Sequence, residues 1–96
     1  MIHDALAASL HAAVAAELLH VREGLEQLAE MFVADEHFAE NYLEQLQAFD
    51  LLIQHTDESA AILDRLGAGA CPREAAAPVR LEAIHGRLHA ALAKTA

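Results

Sequence analysis

Apolar residues recur at three- and four-residue steps along most of this chain. Val14, Leu18, Val21, Leu25, Leu28 and Phe32 form one such row, and Leu6 and Leu10 extend it loosely toward the start. This spacing keeps one helix face apolar and predicts helix 1 over about residues 3–33. Gly24 lies off the row and costs about 1 kcal/mol of helix propensity relative to alanine. A second row, Tyr42, Leu46, Phe49, Ile53, Thr56, Ala60 and Leu63, predicts helix 2 over about 36–66. Between the two, "VADEHF" reads as a short turn, with Asp35 as an N-cap whose carboxylate accepts from the next turn's free N–H groups. "GAGACPREAAAP" reads as a loop over 67–77, with a short turn near Glu74. Pro78 suits the first turn of helix 3, over about 78–94, because its missing N–H is harmless there. Leu81, Ile84, Leu88 and Leu92 give that helix an inner face.

The pattern implies an all-α protein of one domain. Helices of about 30 residues reach about 45 Å at 1.5 Å per residue, while a compact chain of about 100 residues has a radius of gyration near 13 Å. The expected fold is therefore a long antiparallel helical hairpin plus a short third helix. One short helix cannot cover the seam of such a hairpin. A second copy would close it, giving a four-helix bundle on dimerisation; a monomeric three-helix bundle is the rival.

Composition narrows the functions. The 96 residues carry six basic and fifteen acidic side chains, for a formal charge of −9. Through Ala60 there are twelve acids against Arg22 alone, whereas from Ala61 onward five bases face three acids. Such an acidic body repels phosphate backbones, so nucleic acid is not an expected partner. Cys71 is the only cysteine, which excludes an intrachain disulfide and permits a reducing compartment. The first twenty residues lack the basic start of a signal peptide, and no apolar run approaches the roughly 20 residues that cross a bilayer. A cytoplasmic protein without membrane contact is expected.

One polar line interrupts helix 2. In "LQAFDLLIQ", Gln47, Asp50 and Gln54 are spaced three and four apart among apolar residues. With Leu46 and Ile53 at heptad position a, Asp50 takes e beside the core, and Gln47 and Gln54 take b and point outward. Asp50 and Gln54 are helical neighbours with Cβ atoms about 6 Å apart. Ordinary solvent-facing residues would satisfy the same spacing. Leu51 and Leu52 nevertheless place apolar side chains around the pair, as in a docking surface with a polar centre.

Asp50-Leu51-Leu52-Ile53-Gln54 resembles the D-x-x-x-Q signature of the CheZ phosphatases, which dephosphorylate the chemotaxis response regulator CheY. The stretch is most similar to the short CheZ-like phosphatases called CheT. The resemblance spans about residues 14–66 and is sharp over nine of them. Leu52 and Ile53 are larger than the family's usual residues there, and these 96 residues hold no counterpart of the long family tail with its separate regulator-binding helix. The resemblance implies a dimeric helical hairpin acting on a phosphorylated CheY-like receiver domain. Gln54 would orient the attacking water, since its amide both donates and accepts but cannot act as a base. Asp50 would pair with the receiver's active-site lysine. Gln47, Leu51, Asp57 and Glu58 would contact the partner. No cofactor of its own is implied, because the receiver supplies Mg²⁺.

Two other readings use different residues. Glu17-x-x-His20 and Glu82-x-x-His85 fit the E-x-x-H pattern of di-metal bundles, and His85 and His89 could clamp a metal on one helix. None faces inward in the predicted register, so no metal site is expected. A non-catalytic regulator-binding or dimerisation module is the other alternative. The His-then-acid order of a kinase phosphoacceptor occurs only at His3-Asp4.

Overall fold

The computed structural model describes residues 2–95, with side chains from Asp4 to Lys94; the side chain of His3 lies outside this range. Among the described residues 88% are helical, and no strand occurs. Five helices follow in order: α1 (Ile2–Ala34), α2 (Glu36–Asn41), α3 (Leu43–Gly67), α4 (Pro72–Ala76) and α5 (Glu82–Thr95). α1 and α3 run antiparallel. Gly67 approaches Ala12, Asp57 meets Arg22, and Phe49 meets Phe32. The molecule extends 55 × 25 × 16 Å with a radius of gyration of 16.4 Å. That exceeds the roughly 13 Å of a compact chain of this size.

The chain reverses around residue 35 for local reasons. The Phe38 N–H donates to the Asp35 carboxylate at 3.0 Å, which caps α2. Phe38 stacks on Phe32 at 4.5 Å and on Tyr42 at 4.8 Å, so an aromatic column backs the turn. Helix 2 of the sequence reading is not continuous. Tyr42, at φ −129° and ψ 41°, separates α2 from α3. Just before it, the Asn41 side-chain amide donates to the His37 carbonyl at 2.8 Å, the local competition that makes Asn a poor helix interior residue.

The C-terminal punctuation also differs from the expectation. Pro72, not Pro78, occupies the first turn of a helix, the short α4 inside the expected loop. Pro78 lies in the turn after α4, and α5 begins only at Glu82. Gly69, at φ 102°, makes the left-handed turn that leaves α3. Arg65 Nε then donates to the Ala75 carbonyl at 2.8 Å and holds α4 beneath α3.

Two small cores result. Ala15 and Ala60 are buried between the long helices, and Ala75, Ala76, Val79 and Ile84 are buried at the C-terminal segment. Among the described residues no large side chain is fully buried. The apolar row of α1 is divided. Leu18, Leu25 and Phe32 are half-buried, but Val14, Val21 and Leu28 remain 39%, 51% and 45% exposed. A single facing helix covers one edge of a heptad stripe and leaves the other open.

Between Asp4 and Ala34, one 18-residue window of α1 reaches a mean hydropathy of 1.2, long and apolar enough by length and composition alone to cross a membrane. This corrects the expectation that no run approaches that length. Alanine makes much of the segment apolar, and the same helix carries buried Ala15 against α3.

Candidate functional site

α3 positions the polar line. Its inner face is set by Leu46, Phe49 and Ile53, all half-buried, with the Phe49 ring 5.6 Å from that of Phe32. Fixing Phe49 inward turns Asp50, about 100° further around the helix, to the edge of the contact. Gln47, Asp50 and Gln54 are all exposed, and none has a side-chain hydrogen bond or ion pair among the described residues. Leu51 and Leu52 flank them at 49% and 51% exposure. α3 therefore presents an acid and an amide one turn apart, with apolar neighbours and unused hydrogen-bonding capacity.

Asp57 and Glu58, expected at the partner surface, are instead engaged within the chain. Arg22 Nη1 donates to Asp57 Oδ1 at 2.8 Å. The Glu26 carboxylate lies 3.2 Å from Arg22 Nε without a directed hydrogen bond to it. Glu58 receives the Arg80 N–H between its two carboxylate oxygens, each at 3.1 Å, and the Leu81 N–H at 3.4 Å. A carboxylate placed there satisfies free donors at the start of α5 and opposes the positive end of its dipole. Neither pairing was legible in the spacing, because each joins residues far apart in sequence. Arg22 offered one signal: it is the only base before Arg65.

A shallow groove of about 290 Å³ runs between α1 and α3. Ala12, Ala16 and Ala61 line it beside buried Ala15 and Ala60, with Asp57 and Asp64 as its polar members. Asp50 and Gln54 do not line this groove. They stand on convex helix surface, about 10 Å along the helix from Asp57 for the Asp50 carboxylate. A small molecule would find no enclosure there. A protein with its own cleft could receive both side chains.

The candidate metal ligands are dispersed. Glu17, His20 and Glu82 are exposed and His85 is half-buried. His85 and His89 do meet, with their Nε2 atoms 3.0 Å apart. Comparison of the chain with protein-family models, curated proteins and solved structures finds no match.

Proposed function

We propose that this protein promotes hydrolysis of the aspartyl phosphate of a CheY-like receiver domain, acting as a cytoplasmic homodimer of helical hairpins. The observation that carries the reading is the exposed, unpaired Asp50–Gln54 couple on α3, flanked by exposed Leu51. A phosphorylated receiver already holds the phosphoryl group, a Mg²⁺ ion and a lysine; the missing part is an oriented water. Gln54 supplies that orientation by donating to and accepting from the water in line with phosphorus. Asp50 pairs with the receiver lysine and fixes the approach of α3. Gln47 and Leu51 extend the contact, and no cofactor of the protein's own takes part. Each tenfold acceleration requires about 1.36 kcal/mol off the barrier, so about a hundredfold lies within the reach of positioning.

The dimer is supported by the uncovered half of the α1 stripe, Val14, Val21 and Leu28, which a second hairpin would bury as a four-helix bundle. The test is phosphate release from phosphorylated receiver domains with Mg²⁺, with and without this protein. Faster release supports the reading. Binding without faster release assigns the chain to the non-catalytic regulator-binding class.

A further inference from the structure

The α5 surface carries two imidazoles whose arrangement the phosphatase reading does not use. His85 is half-buried and His89 exposed, one helical turn apart. Their rings lie 4.1 Å apart at the centroids, inclined by 41°, and their Nε2 atoms are separated by 3.0 Å. Two neutral imidazoles meeting in this way can share only one proton between the two nitrogens. A metal ion in place of that proton would use both lone pairs.

We infer that His85 and His89 form a bidentate surface site for a divalent transition-metal ion of the Ni²⁺ or Cu²⁺ type. At metal–nitrogen bonds of about 2.0–2.1 Å, nitrogens 3.0 Å apart subtend about 90–97° at the ion. This is the cis angle of octahedral and square-planar coordination, whereas a tetrahedral ion would need the nitrogens about 3.3 Å apart. Imidazole nitrogen suits these ions, and the affinity order for such ligands rises through Ni²⁺ to Cu²⁺. The helix beneath is anchored by buried Ile84 and half-buried Leu88, and Glu58 holds its start. Arg87 lies about 200° around the helix from His85 and so away from the ion. Among the described residues no third His, Cys, Asp or Glu completes a set. Water, or a donor from another molecule, fills the remaining positions.

The test titrates tag-free full chain with NiCl₂ by calorimetry and visible absorption. It is done in a His3→Ala background, so that this further histidine does not contribute to Ni²⁺ binding. The expected result is one ion per chain at micromolar affinity, with Zn²⁺ binding more weakly. Adding His89→Ala should weaken Ni²⁺ binding at least about tenfold, because the second nitrogen no longer acts at high effective concentration. His20→Ala should leave it unchanged, and circular dichroism should show each variant as helical as its parent. No saturable Ni²⁺ binding, or binding that survives His89→Ala in a helical protein, would overturn the site. The readout does not involve phosphate release, so it stands or falls separately from the proposed function.

Discussion

Arg22 of α1 and Asp57 of α3 meet at 2.8 Å across 35 residues of sequence. The contact sits midway along the helix pair and opposes the main positive charge of the first sixty residues to an acid. The side chains are 34% and 55% exposed, so water screens them and the pair contributes little stability. A double-mutant cycle with Arg22→Ala and Asp57→Ala, read by urea unfolding, should give a coupling of about 0.2–1 kcal/mol that falls as salt is added. A coupling near zero at low salt would show that apolar packing alone holds the register.

Glycines should respond in opposite directions. A Cβ at Gly67 would lie 3.1 Å from Ala12 Cβ and 3.1 Å from the Ala8 carbonyl oxygen, at the close crossing of α1 and α3. Gly67→Ala should therefore destabilise the fold by about 1–3 kcal/mol through overpacking. Gly24 and Gly86 have open space around the same point. Gly24→Ala and Gly86→Ala should each stabilise by about 0.4–1 kcal/mol, since alanine is the better helix former. Thermal unfolding of the three variants decides the matter, and a neutral Gly67→Ala would contradict the close crossing.

These contrasts show what the sequence made legible. The apolar rows located the two long helices, since a period of three and four has few other interpretations. The interruption at Tyr42 was hidden because Asn41 acts through side-chain bonds to His37, which no periodicity registers. Pro72 and Pro78 are equally good helix starters by type, and the contact from Arg65 to Ala75 fixes the short helix that begins at the first. At the candidate site, the exposure of Gln47 and Gln54 followed from their outward heptad positions, and Asp50, expected beside the core seam, is exposed as well. The internal bonds of Asp57 and Glu58 did not, because the facing residues come from α1 and from the start of α5.

Dimerisation should follow from the open half of the α1 stripe. Light scattering at micromolar concentration should give twice the 10.3 kDa chain mass. Val21→Glu would place a charge in the middle of the exposed row and should return the protein to a monomer while leaving it helical, because Val21 is 51% exposed within one chain. A parent protein that stays monomeric across the concentration series would remove the dimer.

The central claim is that Gln54 holds the attacking water, and one measurement reaches it most directly: the rate of phosphate release from a phosphorylated CheY-like receiver, compared for the parent protein, Gln54→Ala and Asp50→Ala. Gln54 is exposed and unpaired among the described residues, so its removal should change folding stability by no more than about 0.5 kcal/mol. Gln54→Ala should bring release down to the rate of the receiver alone while still binding the phosphorylated receiver. Asp50→Ala should lose both affinity and activity, since Asp50 is assigned the ion pair with the receiver lysine. Hydrolysis by Gln54→Ala as fast as by the parent would contradict the account and leave the polar line of α3 as solvent-facing surface.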